Sequence, residues 1–250
     1  MKRSHRGAPS TGPAPSDVDR VAGDIVARAG AMGVVVEARV AAALASVLAG
    51  MLAEPQNLSS VRDLDTAIGV HVIDALSGLV VPEVREAEGI VDLGSGGGFP
   101  GIALAAMLPD VPVTLVESEG RKADWLVRAS AAFPNVRVVA DRSETLARDE
   151  RDRHPVVTAR ALGPLPVVME LATPLLAPGG SLVAWRGRRD ADDRIACAAA
   201  AAALGLEATS EVTATPSPGV NRYFSVWRKT APTPDRYPRR PGIAAKRPLG

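Results

Sequence analysis

The chain is predicted to be an α/β protein built on a seven-stranded, mostly parallel sheet, and three observations carry that expectation. From Gly89 onward, short β-branched segments alternate with helical ones at the spacing of strand, helix, strand units. The stretch Val91-Asp92-Leu93-Gly94-Ser95-Gly96-Gly97-Gly98-Phe99-Pro100-Gly101-Ile102 reads as a strand, a glycine turn and a proline-started helix, an arrangement that opens a hole for a nucleotide-sized ligand. The last two strands have only Thr215-Pro216-Ser217-Pro218-Gly219 between them, so they form an antiparallel hairpin at one edge.

Residues 1–16 are rich in Pro, Gly and Ser with little to bury, and are expected to form a disordered head. Order begins at Ser16-Asp17, an N-cap for the periodic Val18, Val21, Ile25 and Val26. A second helix, about 36–53, is apolar on most faces and ends at Pro55-Gln56-Asn57; a third covers about 63–79. Residues 17–82 thus make an N-terminal helical extension. Strands are expected at 90–93, 113–116, 136–140, 156–158, 181–185, 207–213 and 222–228. Helices are expected near 101–107, 121–132, 165–176 and 190–204. These fill a domain at 83–230, and a tail follows at 231–250.

With 250 residues, 46% of them hydrophobic, the chain can bury one full core and a small accessory one. No window reaches the roughly 18 consecutive apolar residues that span a membrane. The start, Met1-Lys2-Arg3-Ser4-His5-Arg6, lacks the apolar core of a secretory signal, so a cytoplasmic protein with no membrane partner is expected. Cys197 is the only cysteine, which excludes intramolecular disulfides and multi-cysteine zinc sites. His5 lies in the head, His154 precedes a proline, and His71 stands alone on the third helix, within reach of Asp74 one turn on; no metal site is expected. No spare apolar stripe marks a subunit contact, so a monomer is expected.

The net charge of +1 conceals an uneven distribution. From Arg222 to Arg247 the chain carries Arg222, Arg228, Lys229, Arg236, Arg239, Arg240, Lys246 and Arg247 against Asp235 alone. Such a tail either solubilises the protein or binds nucleic acid.

Two glycine frames overlap in the loop. Gly94-x-Gly96-x-Gly98 after Asp92 is the pattern of class I S-adenosylmethionine methyltransferases, which have a Rossmann-like sheet; Gly96-x-Gly98-x-x-Gly101 is a dinucleotide fingerprint that would suit a nicotinamide-dependent oxidoreductase. Glu117, just after the second strand, suits the ribose hydroxyls in either frame. Three features favour S-adenosylmethionine. Pro178-Gly179-Gly180 reads as a turn between a helix and the strand at 181–185, the terminal hairpin supplies an antiparallel edge, and Asp141-Arg142-Ser143-Glu144 puts polar groups where an adenine edge would lie.

Cytosine C5 transfer needs a cysteine nucleophile, and Cys197 sits in an alanine-rich helix far from the loop. Exocyclic amino transfer calls for an Asn/Asp-Pro-Pro-aromatic element after the fourth strand, where this chain has Thr158-Ala159-Arg160-Ala161-Leu162. A ring nitrogen such as guanine N7 offers a lone pair and no proton to remove, so positioning suffices. Arg160, at the carboxyl end of that strand, can orient a guanine or steady the carboxylate of S-adenosylmethionine, but its pKa is too high for a base. An ion pair with a nearby carboxylate is its bland alternative.

Taken together, these segments resemble the bacterial small-subunit rRNA guanine-N7 methyltransferases of the RsmG or GidB family. The resemblance covers nearly the whole chain after the head: Asn57-Leu58-Ser59-Ser60-Val61-Arg62, His71-Val72-Ile73-Asp74-Ala75-Leu76, the loop from Asp92 with its Phe99-Pro100-Gly101 ending, Arg121-Lys122, Arg142-Ser143-Glu144, Arg160-Ala161, Trp185-Arg186-Gly187 and the ending from Arg236-Tyr237-Pro238 to Lys246-Arg247-Pro248-Leu249. It implies methylation of guanine N7 in 16S rRNA of the small ribosomal subunit, with S-adenosylmethionine as donor and S-adenosylhomocysteine as product. The implied cofactor contacts are Gly94, Phe99, Ser143, Glu144 and Arg160, joined by Gly96 from the glycine frame and Glu117 from the ribose argument. Arg186 stands where the family has lysine, so a point contact to phosphate becomes a forked one. Thr158-Ala159 also departs from the family's pair before the arginine. The tail's Arg236, Arg239, Arg240, Lys246 and Arg247 are expected to track phosphates while Tyr237 stacks on an unpaired base. Truncation after Thr230 is accordingly expected to weaken RNA binding and leave cofactor binding nearly intact.

Overall fold

The computed structural model describes residues 15–56, 58–187 and 193–250. Most of the expected head, Asn57 and the start of the expected helix at 190–204 lie outside the described residues. Pro15 and Ser16, assigned to the head by composition, open the first helix.

Helix α1 (Pro15–Ala31) packs on α2 (Ala38–Ala53), which buries Ala41, Leu44, Ala45, Leu48 and Met51 at helical spacing. The expected third helix is one helical run of changing pitch. It comprises α3 (Leu64–Ala67), a π-helical turn at Ile68–Ile73, α4 (Asp74–Leu76) and a 3-10 turn at Ser77–Val80. Asp63 caps its start, its Oδ2 accepting from the Thr66 N–H at 2.8 Å. Helix α5 (Pro82–Arg85) begins on a proline, which suits a first turn.

The sheet comprises β1 (Ile90–Leu93), β2 (Val113–Val116), β3 (Val136–Val139), β4 (His154–Arg160), β5 (Leu176–Arg186), β6 (Leu206–Ser217) and β7 (Val220–Lys229). Its order is β3-β2-β1-β4-β5-β7-β6. The first five strands pair in parallel, and β7 runs antiparallel between β5 and β6, so the expected edge hairpin is present. Between strands lie α6 (Gly101–Met107), α7 (Gly120–Ala129), α8 (Ser143–Asp149), α9 (Leu165–Ala172) and α10 (Asp193–Leu204), and the tail contains α11 (Ile243–Lys246).

Pro178-Gly179-Gly180 requires a correction. It is not a turn before β5 but a bulge inside it: His154 pairs with Leu176 and Val156 with Ser181, and Gly179 takes the left-handed conformation with φ 80°. Gly180 is needed there because a Cβ would lie 2.8 Å from the Pro155 carbonyl oxygen.

Each face of the sheet carries one core. On one face α1, α2, the 64–80 run and α6 close over Ile90, Leu115, Val183 and Phe224, so the N-terminal extension shares the main core and does not form an accessory one. Trp185 stacks edge-on against Phe224 there, with centroids 5.0 Å apart. The other face packs α9 and α10 on Val91, Leu93, Val157 and Leu182, and it also buries Tyr237 from the tail.

The tail is folded onto the domain. Arg151 donates to the carbonyls of Thr233 at 2.5 Å and Tyr237 at 2.7 Å. Glu170 on α9, 1% exposed, receives Arg239 Nε at 2.8 Å, Arg239 Nη2 at 2.5 Å and the Arg239 backbone N–H at 3.1 Å. Lys229 is buried as well, donating to Asp152, Thr173 O and Leu176 O.

Candidate active site

The glycine loop connects β1 to α6. Gly94 and Gly96 have φ 67° and 53°, a region that a Cβ disfavours. Gly94 N donates to Val116 O at 2.9 Å, and Gly96 N to Glu117 Oε2 at 3.0 Å. Glu117 Oε1 accepts from the Glu119 N–H at 2.8 Å. The buried Glu117 therefore braces the loop, and each of its oxygens retains a second lone pair.

Asp92 is fully buried in β1. Its Oδ2 accepts from the Gly101 N–H at 3.2 Å, which ties the start of α6 to the strand, and its Oδ1 accepts from Thr158 Oγ1 at 2.9 Å. Burial pushes its pKa up to about 6, against the opposing effects of these bonds and of the Arg160 charge. Gly101 serves packing: a Cβ would lie 2.2 Å from Leu115 Cδ2 and 2.8 Å from Asp92 Oδ2. The third glycine of the dinucleotide frame is thereby explained without a ligand.

Among the described residues, two cavities open beside this loop. The smaller, about 190 Å³, runs from Gly94 past Ser118 to Asp141 and Ser143-Glu144, with Leu162 among its apolar lining. Gly242, Ala244 and Ala245 of the tail also line it. The larger, about 450 Å³, lies at the carboxyl ends of β4 and β5 and is lined by Arg160, Arg186, Arg222, Asp74, His71 and Trp185 among others. Leu162 belongs to both linings, so the two cavities adjoin there. Just before it, Ala161 adopts φ 55°, a conformation that costs a non-glycine residue about 1–2 kcal/mol.

Asp74 is the centre of the larger cavity's polar network. Its Oδ2 accepts from Arg160 Nη1 at 2.9 Å and its Oδ1 from Arg222 Nε at 2.5 Å, while Arg160 Nη1 also donates to Val70 O at 2.9 Å. Trp185 Nε1 donates to Asp74 O at 3.2 Å, and a Cβ at Gly78 would lie 2.1 Å from the same indole. His71 does not use Asp74 as a hydrogen-bond partner; its Nε2 lies 2.7 Å from Ser59 Oγ. Burial first, and then the Arg160 charge, lower the His71 pKa to about 4. His71 is therefore neutral at pH 7, and among the described residues the walls also carry Arg160, Arg186, Arg222 and Asp74.

Of the residues expected at the cofactor, Gly94, Ser143 and Glu144 line the smaller cavity, and Gly96 and Glu117 brace the loop beside it. Phe99 lies elsewhere: it is buried in the helical-side core, its ring centroid 6.0 Å from that of His71. Arg160 lines the larger cavity, where the Asp74 ion pair holds it. Arg186 shares that cavity. In the tail, Tyr237 is 6% exposed with Arg236 5.0 Å above its ring, which corrects the expectation that it stacks on a base. Arg239 is committed to Glu170, whereas Arg240, Lys246 and Arg247 are exposed. Ser118, Leu162, Arg222 and the tail's Gly242, Ala244 and Ala245 were not expected at either cavity. Only Leu162, two residues after Arg160, carried a local signal.

A family model described as GidB, rRNA small subunit methyltransferase G, matches residues 43–217. A relative from Rubrobacter xylanophilus, ribosomal RNA small subunit methyltransferase G, is 40% identical over 201 residues, covering 77% of each chain. The chain belongs to the small-subunit rRNA methyltransferase G family. A second relative of that name, from Chloroflexus aggregans, is 41% identical over 198 residues, 77% of this chain and 82% of its own. Among solved structures, the fibrillarin pre-rRNA processing protein of Methanococcus jannaschii superposes with a TM-score of 0.51 at 16% identity, over 64% of this chain and 74% of that one. That likeness concerns the fold alone. Membership of the methyltransferase G family removes the nicotinamide reading of the loop. Among the described residues no helix is long and apolar enough to cross a membrane, and no group of three metal-ligating side chains occurs.

Proposed function

We propose that this methyltransferase G family member transfers the methyl group of S-adenosylmethionine to N7 of a guanine in 16S rRNA of the small ribosomal subunit, in the cytoplasm. The observation that carries the reading is the meeting at Leu162 of a glycine-loop cavity with a basic one. The first suits an adenosine: Leu162 and Val116 are apolar, and Ser118, Asp141 and Ser143 offer polar edges. A Cβ at Gly96 would meet only Gly94 O within 4 Å, at 3.8 Å, so the absent side chain keeps the loop open. When bound, the sulfonium supplies an activated methyl group.

The chain's own residues hold and exclude. Glu117 braces the loop and keeps lone pairs for the ribose hydroxyls. Arg160, Arg186 and Arg222 give the larger cavity the charge to receive a nucleotide and its phosphate. The two Arg160 bonds do not exhaust its five donors, which leaves it able to meet guanine O6. Because N7 has no proton to lose, no base is needed; the neutral His71 and the paired Asp74 shape the cavity. Exposed Arg240, Lys246 and Arg247 are offered as phosphate contacts.

The test is transfer of a labelled methyl group to 16S rRNA lacking the modification, followed by chemical cleavage at N7-methylguanine. Cleavage at one guanine is expected. Incorporation without such cleavage, or no incorporation into either free rRNA or small subunits, would refute the proposal.

A further inference from the structure

We infer that the C-terminal segment 233–247 is a working wall of the cofactor site, with Ala244 and Ala245 supplying the apolar surface against which the adenine ring lies. This rests on the reading of the smaller cavity as the S-adenosylmethionine site. Ala244, Ala245 and Gly242 line that cavity together with Asp141, Ser143 and Glu144 from the segment that leads from β3 into α8. The adenosine half of a nucleotide needs both an apolar face and a polar edge. Asp141 to Glu144 provide the edge, and the tail contributes to the face.

Three separate anchors set this wall in place. Glu144, itself part of the lining, accepts the Gly242 N–H on Oε1 at 3.0 Å. Glu170 takes three N–H groups from Arg239, and a carboxylate so deeply buried is strongly unfavourable without them. Arg151 gathers the carbonyls of Thr233, Pro234 and Tyr237. Gly242 has φ 79°, a left-handed turn that sends the chain into α11, and Ala244 is 3% exposed against the domain. Part of the basic tail's charge therefore serves to dock the segment, which reverses the expectation that its loss would spare cofactor binding.

The experiment measures S-adenosylhomocysteine binding to the full chain by calorimetry, without RNA. Ala245 is exposed except for its place in the cavity lining, so Ala245→Trp should fill the groove without disturbing a core. A Kd at least tenfold higher is expected for Ala245→Trp, an intermediate rise for Ala245→Gln, and a change under twofold for Ala245→Ser, with superimposable thermal melts. Ser118→Trp, at another exposed position in the lining of the same cavity, tests the groove apart from the tail. Normal binding by Ala245→Trp and Ala245→Gln with weakened binding by Ser118→Trp overturns the wall and leaves the cofactor groove standing. Normal binding by Ser118→Trp as well overturns the groove itself.

Discussion

Replacing Asp92 by Asn should stabilise the protein at neutral pH and make that gain vanish in acid. The carboxyl is fully buried, and its folded pKa of about 6 lies above the ordinary 3.8 because burial disfavours the charge. The folded state thus binds a proton more tightly than the unfolded chain does. Well below pH 3.8 both states hold the proton and Asp92 costs nothing; as pH rises from 3.8 to 6 the unfolded chain ionises while the folded state keeps its proton, and the cost grows to about 3 kcal/mol, where it levels off above pH 6. Asparagine keeps the geometry. Its carbonyl can accept the Gly101 N–H, and its amide can donate to Thr158 Oγ1, whose hydroxyl turns to Val91 O, now 3.5 Å away. Urea unfolding of both proteins at several values between pH 4 and 7.5 is the assay. The Asn variant should match the parent near pH 4 and exceed it by about 3 kcal/mol at pH 7.5. A difference that stays constant across this range, or an Asn variant less stable at pH 7.5, would refute the reasoning.

Removing Asp74 should have a different signature. Asp74→Ala leaves the Arg160 and Arg222 guanidiniums, whose side chains are 17% and 19% exposed, facing each other without a counter-charge. Partial solvation reduces the usual buried-pair loss to about 2–3 kcal/mol of unfolding stability. Methyl transfer to rRNA should fall while S-adenosylhomocysteine affinity stays within twofold, because Asp74 lines the larger cavity only. The His71 imidazole, held neutral, should show no titration of its ring resonances above pH 5 by NMR, and its contribution to stability should decline as pH falls from 6.5 through 4. A ring that titrates near 6.5 would contradict its burial against Arg160.

Local periodicity and motif spacing were enough for the alternating architecture, the seven strands and the edge hairpin, because alternation and turn residues act within a few positions. The polar helix α8, Ser143–Asp149, escaped that reading: it is short and has no apolar stripe to announce it. So did the bulge in β5, since Pro178-Gly179-Gly180 suits a turn and a bulge equally, and only the pairing of β4 with β5 decides between them. The π-helical turn likewise depends on what lies against it. The strand, glycine turn and helix of the loop were legible, and Asp92, Gly94 and Glu117 occupy the strand ends where spacing put them.

The grouping of the charges was not legible. Asp74 meets Arg160 and Arg222 from 86 and 148 positions away, contacts that no local pattern encodes. Phe99-Pro100-Gly101, the most distinctive run in the loop, turned out to pack α6 against β2 and the helical core, with Phe99 buried and Gly101 wedged beside Leu115. The tail shows the division most clearly. Its positive charge is a sum over side chains and can be read from composition; which of those charges stays in solvent depends on a single buried acceptor. Glu170 lies on a helix whose burial is a property of the assembled sheet, so only the folded chain could turn Arg239 from a candidate RNA contact into an anchor and bring Ala244 and Ala245 to the groove.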